Sequence, residues 1–260
     1  MSAVVLIPAR FDSTRFPGKP LAPLKGLPVI QHVYRNSLLS ERAADVIVAT
    51  DSETIFETVL AFGGKAVMTS AAHLSGTDRI AEAVRSLDKD YDIIVNVQGD
   101  EPLIRPEMID AVISLLDDSR ASLGTLVKKI VDPEEIFDPN VVKAVCDEDG
   151  FALYFSRAPI PYYRDAWKAY TMQRPALRGQ PSEAAFCCYK HIGIYSYRKE
   201  ALLALTALAP TEIELAESLE QLRALGNGYK IKVQETSCET FGVDTPEDLE
   251  RIEKCLNISL

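Results

Sequence analysis

The stretch AVVLIPARFDSTRFPGKP, Ala3 to Pro20, joins an apolar run to a loop carrying Arg10, Arg15 and Lys19, with Pro17, Gly18 and Pro20 among them. A short apolar run bounded by turn residues reads as a buried strand. Three more follow: DVIVAT (45–50), KAVMTS (65–70) and DIIVNVQ (92–98). After the first comes a helical pattern, Val29, Ile30, Val33, Ser37 and Leu38, with Pro28 near the first helical position. Strand and helix repeated four times predict an α/β fold, a doubly wound and mostly parallel sheet over about the first 120 residues. Ligands of such sheets bind beyond the carboxyl ends of the strands, so the residues behind each strand carry most weight.

After Ser122 the rhythm changes. VVKAVCDEDGFALYFSR (141–157) predicts a hairpin with its turn at residues 147–150. Residues 159–183 hold four of the 15 prolines and no clear period, which reads as a long loop or arm. HIGIYSY (191–197) and YKIKVQET (229–236) read as strands. IELAESLEQLRAL (213–225) reads as one helix with Leu215, Leu219 and Leu222 on its apolar side. The expected organisation is a nucleotide-binding core at 1–122, a smaller antiparallel region at 123–230, and a return to the core with a C-terminal helix at 231–260.

Composition excludes several classes. The 260 residues are 47% hydrophobic and 25% charged, with a formal net charge of -10. An acidic, unpatterned balance argues against nucleic acid or an anionic membrane as partner. The run Ala3 to Ala9 has no basic residue before it and is too short for a signal peptide or a membrane span, so a cytoplasmic protein is expected. Five cysteines without C-x-x-C spacing argue against zinc or a disulfide framework, and Cys187-Cys188 reads as two reduced thiols. Three histidines make chemistry on a histidine cluster improbable.

The opening loop is an anion site by composition. Arg10, Arg15, Lys19 and Lys25 against Asp12 give residues 1–25 a net charge of +3 in an acidic chain. Guanidinium forks and an ammonium suit phosphate oxygens, and Gly18 lets backbone N–H groups approach an anion. It is not a Walker A loop, since Ser13 stands where glycine is required and Pro20 follows Lys19. No G-x-G-x-x-G occurs either, which weighs against a dinucleotide. The fourth strand runs into Gln98, Gly99 and Asp100, where a carboxylate can hold Mg²⁺ beside a nucleotide and an amide can read a base edge or a sugar hydroxyl. SGTDR (75–79) opens a helix whose exposed backbone suits a base or phosphate, although Ser75 is equally an ordinary N-cap. Asp88, Asp90 and Asp92 precede the fourth strand, on the wrong side of the sheet. In GVDTPEDLERIE, Thr245, Pro246 and Asp248 form a helix start, leaving Asp244 for a second metal ligand. Asp100 and Asp244 are each expected to follow an apolar strand. On residue chemistry alone Arg157 reads as a strand-end arginine paired with a surface acid and His191 as a core histidine. Glu220 and Gln221 read as solvated positions.

Together, IPARFDSTRFPGKPL, VATD, SGTDRIAEAV, VNVQGDEPLI, ALYFSRAPIP, YKHIGIYSYR, ESLEQLRAL and GVDTPEDLERIE resemble the 3-deoxy-manno-octulosonate cytidylyltransferase (CMP-Kdo synthetase) family, in order from Val4 to Glu253. The resemblance implies a nucleotide-diphospho-sugar transferase type of fold with a smaller antiparallel sugar-binding and dimerisation part. It implies a homodimer that couples CTP to the acidic eight-carbon sugar Kdo, releasing pyrophosphate, for lipopolysaccharide synthesis. An 8-amino analogue or a sialic acid is the alternative sugar. By the same resemblance Ala9, Arg10, Arg15 and Lys19 bind the nucleotide, the three cations on its triphosphate, with Ser75, Gly76, Arg79 and Gln98 near the cytosine. Asp100 and Asp244 bind Mg²⁺ and act with Lys19 in catalysis. Gln98, Arg157, His191, Glu220 and Gln221 hold the sugar. A glycosyltransferase of the same class expects Asp-x-Asp after the fourth strand, where this chain has Gly-Asp-Glu-Pro. A regulatory module without chemistry expects the loss of Lys19, Asp100 or Asp244.

Overall fold

The computed structural model describes residues 1–12, 16–164 and 187–258, with side chains to 254 in the last helix. Arg15 and most of the expected dimerisation arm lie outside the described residues. The chain opens with β1 (Ala3–Ala9), a short ribbon of β2 (Pro23–Leu24) and β3 (Leu27–Pro28), and α1 (Val29–Ser37). It continues through β4 (Asp45–Thr50), α2 (Glu53–Ala61), β5 (Ala66–Met68), α3 (Gly76–Ser86), β6 (Ile93–Asn96) and α4 (Pro106–Leu115). These give the expected doubly wound half: β1 pairs in parallel with β4 (Val4 opposite Asp45) and with β6 (Ala3 opposite Ile93), and β5 pairs in parallel with β4. Their unbroken apolar sequence has a packing cause, because both faces of the sheet are covered. Val5 and Ile7 pack with α1 and α4 residues such as Ile30 and Val112, whereas Val4 and Leu6 pack with Ile80 and Val84 of α3 on the opposite face.

The second half joins the same sheet. It comprises β7 (Leu123–Lys129), α5 (Pro133–Phe137), β8 (Lys143–Cys146), β9 (Ala152–Ser156), β10 (Tyr189–Arg198), α6 (Lys199–Leu205), α7 (Glu212–Glu217), α8 (Gln221–Gly226), β11 (Ile231–Glu235) and α9 (Pro246–Ile258). The sheet order is β11-β7-β10-β6-β1-β4-β5, with β8 and β9 attached beside β10. Strand β10 lies between β6 and β7, antiparallel to both, with Tyr195 opposite Asn96 and Tyr197 opposite Leu123. It pairs with β8 too, and β8 with β9, so the antiparallel region grows out of the core sheet. Hydrogen bonding also bridges both expected boundaries, as Ser122 and Leu123 N–H donate to Lys230 O. Among the described residues no helix is long and apolar enough to cross a membrane.

Two sequence expectations need correction. The segment 213–225 is not one helix: Ser218 takes φ 52°, ψ 48°, which ends α7, and α8 starts afresh at Gln221. Leu215 is 66% exposed, so the apolar side consists of Leu219, Leu222 and Ala224. Asp244 does not follow a strand directly, since β11 ends at Glu235 and a loop intervenes. The α9 start is as expected, with Asp248 N–H donating to Thr245 Oγ1 at 3.4 Å and Asp248 Oδ2 accepting from Thr245 N–H at 3.0 Å.

The insertion of β10 beside β7 demands close packing at Gly124. A Cβ there would meet Ser196 Oγ at 2.6 Å and Val112 O at 3.0 Å, and Ser196 Oγ itself donates to Val112 O. Gly124→Ala therefore forces sheet and α4 apart, at a cost of roughly 1–3 kcal/mol. A Tm several degrees lower in thermal unfolding is expected, and an unchanged Tm would contradict this packing.

Candidate active site

A cleft of about 370 Å³ opens at the carboxyl ends of β1 and β6, beside the start of α3. Its charged wall is built from three distant stretches. After β1 the chain passes Arg10, which lines the cleft, and Gly18 N–H closes the loop on Phe11 O at 2.9 Å. This delivers Lys19, whose side chain is only 12% exposed. Gly99 carries β6 past β1, where a Cβ would come within 2.7 Å of Pro8 O, so any other residue would displace Asp100. Val243 N–H then donates to Asp100 O at 2.8 Å, and fully buried Val243 anchors the loop that presents Asp244. Lys19 Nζ lies 2.5 Å from Asp100 Oδ2 and 3.2 Å from Asp244 Oδ1. Glu101 would add a third negative charge, but burial, reinforced by the Asp100 charge, pushes its carboxyl up to about 8. It is therefore protonated at neutral pH, and its Oε2 is buried with no hydrogen-bond partner among the described residues.

Another part of the lining comes from the start of α3 and the chain before it. Ser75 caps α3, accepting from Asp78 N–H at 3.1 Å, and Gly76 packs on Pro8. Arg79 is buried, donating to Thr69 Oγ1 at 2.6 Å and to Asp51 Oδ2 at 2.7 Å. Arg79 thus lines the cleft with its charge paired to Asp51, and the same ion pair holds α3 against the end of β4. Ala9, Gln98 and His73 complete this part of the lining. Sequence reasoning passed over Asp51 and His73. The position of Asp51 at the end of β4 was a usable signal; nothing in the sequence pairs His73 with the cleft.

A second cavity of about 110 Å³ lies beside the first, and Gln98 lines both. Its polar lining includes Tyr195, Tyr197, Glu220, Gln221 and Arg223. Burial pushes the Glu220 carboxyl up, against the opposing influence of Thr77 and Arg223. Arg223 is held side-on by Glu214, through Nε at 2.9 Å and Nη2 at 2.6 Å, and Glu214 is fixed in turn by the capping box with Thr211. The buried Tyr195 hydroxyl meets no hydrogen-bond partner among the described residues. The break at Ser218 turns Glu220 and Gln221 into this cavity, so they are not solvated positions.

Two expected sugar ligands sit elsewhere. His191 stands behind the second cavity, its ring 5.2 Å from that of Tyr195, with Nε2 3.1 Å from Thr125 Oγ1. Burial pushes its imidazole down to about 4, so it is neutral at physiological pH. Arg157 lines neither cavity. Its guanidinium donates to Glu217 O at 2.7 Å, Pro139 O at 2.9 Å and Ser218 O at 3.4 Å, stapling the α7–α8 break to the end of β9.

Comparison with known proteins places this architecture. Residues 4–233 match the family model described as cytidylyltransferase. The 3-deoxy-manno-octulosonate cytidylyltransferase of Thermodesulfovibrio yellowstonii is 52% identical over 263 residues, covering 99% of each chain. That of Geotalea daltonii is 51% identical over 253 residues, covering 97% of each. A solved CMP:2-keto-3-deoxy-manno-octonic acid synthetase in complex with CTP matches the whole length of both chains at 41% identity, with a TM-score of 0.88. The chain belongs to the 3-deoxy-manno-octulosonate cytidylyltransferase family.

Proposed function

We propose that the chain transfers the CMP unit of CTP to 3-deoxy-D-manno-octulosonate, releasing pyrophosphate, as a cytoplasmic enzyme. The observation that carries the reading is a pair of adjoining cavities sharing Gln98, one with the Lys19–Asp100–Asp244 cluster and one with Glu220 and Gln221. Two substrates can therefore meet at one side chain. The α-phosphate belongs at the charged wall, and the attacking hydroxyl approaches from the second cavity. Sugar identity follows from what the relatives are described as making.

The reaction asks for charge neutralisation and in-line placement rather than a protein nucleophile. Arg10 and Lys19 supply cations to the triphosphate and stabilise the departing pyrophosphate. Asp100 and Asp244 fit Mg²⁺ in kind: both are hard oxygen donors, 32% and 46% exposed at the cleft, and Mg²⁺ takes one or two carboxylates with phosphate oxygens and water. When bound, that ion neutralises phosphate charge and acidifies the attacking hydroxyl. Glu101, held protonated, spares the cluster a third carboxylate. Gln98 orients both substrates by its amide, and Glu220 and Gln221 hold sugar hydroxyls. A homodimer belongs to the same reading.

Pyrophosphate release from CTP that depends on added Kdo is the direct test; release without sugar, or none at all, would overturn the proposal. Asp244→Asn keeps shape and leaves the backbone N–H bond to Asp248 Oδ2 intact, so kcat should fall by roughly two or more orders of magnitude at nearly constant Tm. A destabilised but fully active variant would make Asp244 part of the helix start only. Arg157→Ala removes the staple on the α7–α8 break, so Tm should fall and the sugar KM rise by about tenfold while the KM for CTP holds. A raised sugar KM at unchanged Tm would instead make Arg157 a direct ligand.

A further inference from the structure

The first cleft holds an ionisable group that the chemistry above leaves unused. His73 lines the cleft from the segment between β5 and α3, and its Nε2 pairs with Glu82 of α3. The Glu82 carboxylate also accepts Ser70 N–H at 3.0 Å. These two bonds, the backbone one foremost, hold Glu82 below the usual carboxylate range despite partial burial. An ionised carboxylate can only accept, so Nε2 must carry a proton. Whenever the ring is neutral it is therefore the tautomer with a bare Nδ1, an acceptor with no protein partner among the described residues.

The cleft's layout says what such an acceptor faces. Lys19, Asp100 and Asp244 are gathered on the wall that takes the triphosphate. His73, Ser75 and Gly76 line the same cleft from the chain leading into α3, the part that the proposed function leaves for the nucleoside. Cytosine differs from uracil at two neighbouring positions: an exocyclic amine donor replaces a carbonyl acceptor, and a bare N3 replaces an N3–H. A lone pair opposite the amine makes a hydrogen bond, whereas the same lone pair opposite a carbonyl meets another acceptor. A site that hydrogen-bonds a substrate N–H discriminates strongly against an analogue lacking it.

We infer that His73 Nδ1 accepts a hydrogen bond from the exocyclic amine of cytosine, with Glu82 as the positioning residue that sets the tautomer. This rests on CTP being the nucleotide. His73→Phe keeps an aromatic ring but has no acceptor, so the CTP-to-UTP ratio of kcat/KM should fall by about tenfold or more, the loss falling on CTP. Glu82→Gln can donate to Nε2 and so releases the other tautomer. Its ratio should move in the same direction, and the double variant should discriminate no worse than His73→Phe. A third arm uses the unaltered protein with a pyrimidin-2-one ribonucleoside triphosphate, which is CTP without the amine. The unaltered protein should use this analogue about tenfold less well than CTP, and His73→Phe should treat the two alike. Should His73→Phe not fold, Glu82→Gln read against the same analogue carries the test. An unchanged CTP-to-UTP ratio, or an analogue used as well as CTP by the unaltered protein, overturns the inference alone. Failure of the unaltered protein to release pyrophosphate from CTP and Kdo overturns the function on which it rests.

Discussion

Lys19 Nζ stands between Asp100 and Asp244, at 2.5 and 3.2 Å, and these three residues come from three separate parts of the chain. Two carboxylates at one cleft repel each other and need positive charge between them. The fold meets that need with Lys19 and closes the arrangement with a backbone bond, Val243 N–H to Asp100 O, that ties the C-terminal loop to the end of β6. Most of the surrounding sequence serves this meeting. Gly99 lets β6 pass Pro8, buried Val243 pins the loop, and the capping box at Thr245 and Asp248 starts α9 directly behind Asp244. Glu101 stays out of the charge balance because burial keeps it protonated.

The second cavity depends on a topological step. A purely parallel sheet would end its ligand site at the strand ends. Here β10 returns antiparallel between β6 and β7, and its Tyr195 and Tyr197 face α6 and α8 to form a cavity alongside the cleft. The left-handed turn at Ser218, stapled by Arg157, aims Glu220 and Gln221 into that cavity. Arg157 thus shapes the second cavity through backbone placement, without lining it.

The first half of the fold was legible because local signals agree there: four apolar runs, each too short for a helix, alternate with helical periodicity, and β4 occurs where DVIVAT predicts it. Asp100 was legible as a polar residue placed after a buried strand, whereas Asp244 was legible only from the helix start that it precedes, since a loop leads to it. What the sequence hides is pairing at a distance. LGTLVKK, with glycine, threonine and two lysines, carries little apolar signal, yet it forms β7, shielded by β10 and β11. IELAESLEQLRAL keeps helical periodicity through Ser218, so only tertiary contacts reveal the break. Arg157 and Arg223 are chemically alike, and only the structure shows that carbonyls occupy the first while Glu214 turns the second toward a cavity. His73 stayed hidden because its partner Glu82 and its place in the cleft follow from how α3 docks on the sheet.

The central claim is that Asp100 and Asp244 work as one unit. A double-mutant cycle on kcat with Asp100→Asn, Asp244→Asn and the pair tests it most directly. Residues that share one function lose it once, so the double variant should be scarcely slower than the worse single variant. Losses that multiply across the cycle would show two independent carboxylates and contradict the account.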